Sequence, residues 1–188
     1  YLIRSIYFDN FDDKALREKI NGVAVREKFR IRYYNDDFSY ITLEKKIKHN
    51  NLCRKEYAPI SIANYSAILS DRTDFLHEQS PALVKELCHK MRTEMLRPKV
   101  MVSYMREPYI YRTGNVRVTF DSCLRTSLFQ QDFLESKIRD VSATECPQDI
   151  ILEVKYDSFL PEVIADLLHL DGIRQQAFSK YSACRKYG

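Results

Sequence analysis

The chain has 188 residues, enough for one domain with a sizeable core, and its composition of 45% hydrophobic and 30% charged residues is that of a globular protein. A formal net charge of +4 implies neither nucleic acid nor a membrane surface by itself, and no apolar run reaches membrane-span length. Four glycines, Gly22, Gly114, Gly172 and Gly188, cannot build a glycine-rich phosphate loop of Walker or dinucleotide type, so any phosphate must be bound by side chains.

Tyr1 to Asp9 reads as a strand, and a short helix follows from Asp12 with an Asp cap, stopped by Asn21-Gly22. Three strands come next, Arg26 to Tyr34, Tyr40 to Lys48 and Leu52 to Ala58, with turns at Asn35-Asp36-Asp37 and His49-Asn50-Asn51; this is an antiparallel meander. Ser61 to Leu69 reads as a helix with Ile62, Tyr65 and Leu69 on one face. Pro81 to Met95 reads as a second helix, with Leu83, Leu87, Met91 and Met95 at helical spacing and Pro98 ending it. Strands resume at Lys99 to Glu107, Tyr109 to Arg112 and Asn115 to Ser122, with a hairpin turn at Gly114-Asn115. Leu128 to Asp149 is ambiguous between loop and a short strand. Ile150 to Tyr156 is a strand, Pro161 to Leu168 a short helix, and Arg174 to Arg185 a last helix. There is no internal repeat or linker.

Five widely spaced cysteines, an odd number with no C-x-x-C pair, read as reduced thiols and place the chain in the cytoplasm. The four histidines, His49, His77, His89 and His169, lie far apart and are read as surface or structural residues. No signal peptide is visible.

The strands carry the functional signal. Read with a two-residue period, Arg26, Lys28, Arg30 and Arg32 form one face of their strand, and Phe29, Ile31 and Tyr33 the other. A row of like charges repels itself unless something negative lies against it. The device recurs. Glu44, Lys46 and Lys48 oppose Leu43 and Ile47; Arg117, Thr119 and Asp121 oppose Val116, Val118 and Phe120; Glu153 and Lys155 oppose Leu152 and Val154; Tyr104 and Arg106 share a face. An open sheet with a solvated charged face would explain one such strand. The repeated long cations, and the need to close or cover strand edges, favour an α+β fold in which a closed antiparallel barrel holds the charges inside and helices cover the apolar outside, with Val116, Val118, Leu152 and Val154 among the covered residues. Such a lumen needs a polyanion: Arg grips phosphate oxygens bidentately and Lys acts as a point charge. Isolated glutamates among the cations suit a divalent metal that bridges carboxylate and phosphate.

The segments IRSIYFDN, REKFRIRYYN, LEKKIK, RPKVMVSYMREPY, NVRVTFD, LEVKYDSFLP and FSKYSACR, in this order, resemble the polyphosphate-polymerase (VTC) domain of the vacuolar transporter chaperone complex, and most closely its stand-alone bacterial relatives. That family belongs to the triphosphate tunnel metalloenzymes, or CYTH proteins. The resemblance covers about Tyr1 to Arg185 and implies a tunnel of about eight antiparallel strands with flanking helices. It also implies phosphate bound inside with a divalent metal, Mn²⁺ or Mg²⁺, and transfer of a nucleotide γ-phosphate to a growing polyphosphate chain. Carried over by motif, Arg30 and Arg32 match the paired tunnel arginines, Lys46 the lysine two positions after Glu44, and Lys55 a lysine of the next strand. Tyr104 and Arg106 match the Y-x-R pair, Arg117 the arginine before T-x-D, Glu153 the metal-binding glutamate, and Ser179 and Lys180 the S-K pair of the last helix. Lys28 and Lys155 join the phosphate ligands by strand parity, and Glu44 is the second metal candidate. Arg30, Arg32, Lys46, Arg106, Arg117 and Lys180 are the expected catalytic set.

The family normally opens with one more tunnel strand, so the domain, residues 1–188, is read as N-terminally incomplete. The expected partners are a nucleoside triphosphate, triphosphate or polyphosphate, with no nucleic acid. Three activities stay open: polyphosphate synthesis, hydrolysis of triphosphate or nucleotide, and polyphosphate binding without catalysis.

Overall fold

The strand-rich reading holds through the chain. The computed structural model describes residues 1–50, 52–72, 80–128, 133, 138–170 and 172–187. In chain order they form β1 (Leu2–Asp9), α1 (Lys14–Ile20), β2 (Val25–Tyr34), β3 (Asp37–His49), β4 (Leu52–Ile60), α2 (Ile62–Leu69), α3 (Ala82–Thr93), β5 (Arg97–Tyr111), β6 (Val116–Ser127), β7 (Val141–Ser142), β8 (Ile150–Lys155), α4 (Glu162–Leu167) and α5 (Lys180–Cys184). The strands make one antiparallel sheet in the order β4-β3-β2-β1-β5-β6-β7. β8 pairs with the first half of β6 and β7 with its second half. Between those halves Cys123 adopts a positive φ of 53°, and the β5–β6 register shifts between Ser103 and Met105, so a bulge separates the two partners of β6.

Alternating side chains sort onto two faces. Phe29, Ile31, Tyr33 and Leu43 are buried against the α3 residues Leu83, Leu87 and Met91 and the α2 residues Tyr65 and Ile68. The charged partners of those strand residues point to the opposite face. A second, smaller core lies on that opposite face, where Ile3, Tyr7, Val100, Val102 and Tyr104 pack against Tyr181 and Cys184 of α5. The channel side of β1 is therefore apolar and hydroxylic, and α5 covers one end of it.

Several expectations are corrected. The barrel is not closed: among the described residues β4 pairs only with β3, and β8 only with β6. Across the gap, Lys55 of β4 and Lys155 of β8 line the same cavity, and Lys55 disfavours the charge of Lys155. Val116 is buried, but Val118, Leu152 and Val154 are only half-buried, and their neighbours Tyr109, Phe120 and Ile150 are exposed, so the outer face of this half of the sheet is incompletely covered. Asp12 does not cap α1. Asn10 accepts from the Lys14 amide, and the buried Asp9 carboxylate accepts from the amides of Ala15 and Leu16. Ile62 and Met95 are exposed, because α2 turns Ile68 rather than Ile62 inward and α3 stops at Thr93 before a left-handed Met95. The last helix starts at Lys180, not Arg174; residues 174–178 are exposed and non-helical. The strands on either side of Pro108 are one, β5, because Pro108 needs no amide donor where it faces Thr119. Of the ambiguous segment, β7 is observed, while residues 129–132 and 134–137 lie outside the described residues, as does His77.

Candidate active site

The charged faces of β2, β3, β4, β5, β6 and β8, together with α5, surround one cavity of about 640 Å³. Every site residue expected from the sequence lines it: Lys28, Arg30, Arg32, Glu44, Lys46, Lys55, Tyr104, Arg106, Arg117, Glu153, Lys155, Ser179 and Lys180. Lys19, Arg26 and Lys48 add to the rim. Twelve Lys and Arg and three Glu line it, and of the three Glu27 turns its carboxylate to Lys45 and Lys90, so the cavity carries a large cationic excess that low-dielectric walls focus inward.

On one wall the β2–β3 register sets Arg30 opposite Glu44. Arg30 donates through Nε and Nη2 to one oxygen of Glu44, at 3.1 and 2.6 Å, and through Nη1 to the Tyr7 hydroxyl at 2.9 Å. Arg32 donates to Ser5 Oγ at 3.0 Å and lies 3.7 Å from the other Glu44 oxygen. β1 thus supplies two hydroxyl acceptors, Ser5 and Tyr7, in register with the two tunnel arginines. Burial alone would raise the Glu44 pKa, but Arg30 and Arg32 outweigh it and hold the carboxyl below its usual value. Lys28, Lys46, Lys48 and Lys55 on this wall form no ion pair with a carboxylate among the described residues. Burial and neighbouring cations push Lys28 and Lys55 below the ordinary lysine range.

The facing wall is organised around Asp121, which is fully buried. Arg106 grips it bidentately at 2.7 and 2.7 Å, and Lys180 of α5 reaches it at 2.7 Å. Burial raises the Asp121 pKa, and Arg106 and Lys180 more than reverse that. Glu153 lies one strand further on, opposite Thr119. It takes Lys155 at 2.6 Å and lies 3.5 Å from Arg106, and its side chain is 36% exposed. Burial is again the largest influence and is overcome by Lys155, Lys180 and Arg106, so Glu153 stays ionised. Arg117 is exposed and without a carboxylate partner among the described residues. Ser179 serves as the N-cap of α5, accepting from the Ser182 amide at 3.3 Å.

Among the described residues no three His, Cys, Asp or Glu side chains form a metal cage. The donor set suits a different mode, in which one carboxylate and substrate phosphate oxygens share a hard divalent ion. Glu153 fits it, being ionised, half-exposed and beside Arg106. Both oxygens of Glu44 are turned to arginines.

Sequence reasoning left Ser5, Tyr7 and Asp121 without roles. The alternation of Ile3, Ser5 and Tyr7 in β1, and the place of Asp121 on the Arg117 face, were the available signals. Lys45 falls on the apolar face as parity requires, and it is stabilised there by Glu27 at 2.9 Å and Glu86 at 2.5 Å.

A sheet whose one face is lined with side-chain cations defines an anion-binding domain with no phosphate loop. The chain belongs to the VTC domain family, whose family model matches residues 1–187. Among solved structures, that of a candidate adenylate cyclase from Bacillus halodurans is similar over 68% of this chain, with 16% sequence identity and a TM-score of 0.45; the match spans 59% of that protein's length. No curated protein sequence matches the chain. Among the described residues no helix is long and apolar enough to cross a membrane.

Proposed function

We propose that this VTC domain transfers phosphoryl groups within the cavity, with a divalent metal, and that the reaction is the extension of polyphosphate from a nucleoside triphosphate in the cytoplasm. The observation that carries this reading is the cationic excess: twelve cations line one cavity, against the inward carboxylates Glu44 and Glu153. Phosphoryl transfer asks a protein mainly for in-line positioning and charge neutralisation. Arg30 and Arg106 suit the first task, because Glu44, Tyr7 and Asp121 hold their guanidinium planes in place. Lys28, Lys46, Lys55 and Arg117 suit the second, because no carboxylate pairs with them among the described residues. Lys180 links the two, being tied to Asp121 at the cavity edge. A divalent ion, Mn²⁺ or Mg²⁺, held by Glu153 and phosphate oxygens, would supply further neutralisation of the transferred group.

The gap between β4 and β8 supports a second reading, hydrolysis of triphosphate, since water reaching the cavity can replace an acceptor phosphate. The test is incubation of the chain with ATP and Mn²⁺, resolving orthophosphate from chain products. Polymer longer than three phosphates supports synthesis; orthophosphate alone supports hydrolysis. With neither product, catalysis is abandoned and the chain is a polyphosphate-binding module.

A further inference from the structure

Tyr7 enters the cavity from β1, the one strand there whose channel face carries no cation. Its hydroxyl accepts from Arg30 Nη1 at 2.9 Å, across the register pair that joins β1 to β2. Arg30 gives its other edge to Glu44, so a phenol oxygen and a carboxylate fix the guanidinium from both sides. A guanidinium only donates. The phenol's own proton therefore needs a second partner, and among the described residues no acceptor lies within hydrogen-bonding distance of it.

The charged groups that act on Tyr7 are cations. The buried Tyr7 ring lies 5.1 Å from that of Tyr181, with the Lys28 ammonium 5.2 Å and the Arg30 guanidinium carbon 5.8 Å from its centroid. From β2 it faces Lys28, Arg30 and Arg32; from β5, Tyr104; from α5, Tyr181, whose hydroxyl is turned away to Asp9 at 2.5 Å. Lys19 of α1 acts on it through Lys28. The nearby carboxylates are engaged elsewhere, Asp9 by Tyr181 and the α1 amides and Glu44 by the arginines. Burial opposes ionisation, yet Arg30, Lys28 and Arg32 outweigh it and bring the phenol down to about 7.

We propose that Tyr7 is a proton-linked positioning residue: as a phenolate it holds Arg30 and balances Lys28 in the empty channel, and it takes up one proton when a polyphosphate anion occupies the surrounding cations. This rests on the phosphate-channel reading above. The incoming phosphate oxygens neutralise Lys28, Arg30 and Arg32, which removes the reason for ionisation, and they offer the acceptor that the phenol O–H lacks. The proton comes from solvent, and no other bond forms or breaks.

The experiment follows the near-ultraviolet tyrosinate absorption of wild type and Tyr7→Phe at about pH 8, above the Tyr7 value and well below that of an ordinary tyrosine. Inorganic tripolyphosphate is titrated in without metal, and its binding is followed in parallel by calorimetry. Free wild type should show a tyrosinate band that Tyr7→Phe lacks, and saturation with tripolyphosphate should abolish it. Over the next pH unit the dissociation constant of wild type should rise about tenfold more than that of Tyr7→Phe, the equivalent of one proton. A band common to both proteins, a band in neither, or a band unchanged by bound tripolyphosphate overturns the assignment and leaves the phosphate channel standing. Failure of tripolyphosphate to bind overturns both. If Tyr7→Phe does not fold, pH titration of wild-type tyrosinate with and without tripolyphosphate reads the same quantity: one tyrosine must ionise well below the rest in the free protein only.

Discussion

Arg106 and Arg117 lie on neighbouring strands of one wall, yet their removal has different consequences. Arg117 is exposed and has no carboxylate partner among the described residues. Arg117→Ala should cost about 1.5–3 kcal/mol of tripolyphosphate binding by calorimetry, the range for charged hydrogen bonds, and leave stability within about 0.5 kcal/mol. Arg106→Ala should also cost about 3 kcal/mol of folding stability by denaturant titration. That is the low end for breaking a buried pair, because Lys180 remains on Asp121. Asp121 has a folded pKa below its unfolded one. Its contribution is therefore fully present above the unfolded value, about 3.9, and is lost as pH falls through the folded value. The stability difference between wild type and Asp121→Asn should shrink below about pH 4, and a constant difference would show that Asp121 is not the titrating group. Glu153→Gln separates binding from chemistry. Metal-free tripolyphosphate binding should hold or tighten, since a negative charge is removed, while Mn²⁺-dependent turnover collapses. If the two Mn²⁺ curves superimpose, the ligand assignment moves to Glu44. The cationic residues were legible in the sequence because parity shows which way a side chain points. Parity does not show burial, so Asp121 looked like one more face residue, and Tyr7 lay on a strand whose channel face holds no cation to draw notice.

At the scale of elements, α5 is too short to be helical on its own and is held by tertiary contacts. Tyr181 donates to Asp9, Lys180 pairs with Asp121, and Ser179 caps its first turn. Asp9 in turn holds the start of α1, so one buried carboxylate ties two helices to β1. Tyr181→Phe should therefore lower stability by about 1.5–3 kcal/mol, the loss of a hydrogen bond to a charged group. It should also weaken tripolyphosphate binding, because Lys180 is carried on the same helix. A variant that loses stability but binds unchanged would mean that α5 keeps its place without Tyr181. This coupling was not legible: the pattern from Arg174 onward reads as a longer helix, and Asp12 reads as a cap. The actual capping carboxylate sits at the end of a strand, where side-chain spacing carries no information about which amides it meets. Strands were legible from their period of two, and α3 from its buried Leu83, Leu87 and Met91 stripe.

At the scale of the whole molecule, the sheet curves its cations around a cavity without closing its backbone. Closure was the part of the fold least legible in the sequence, because which strand edges meet depends on long-range pairing and not on any local pattern. The central claim, that this cavity is a polyphosphate channel, depends on convergence of charge and not on a closed barrel. Calorimetric binding of inorganic tripolyphosphate tests it most directly, comparing wild type with the Arg30→Ala, Arg117→Ala double variant at low and high ionic strength. Wild type should bind and weaken as salt screens the channel, and the double variant should lose about 3–6 kcal/mol, two charged hydrogen-bonding groups at about 1.5–3 kcal/mol each. Undiminished binding in the double variant, or wild-type affinity independent of salt, would contradict the account.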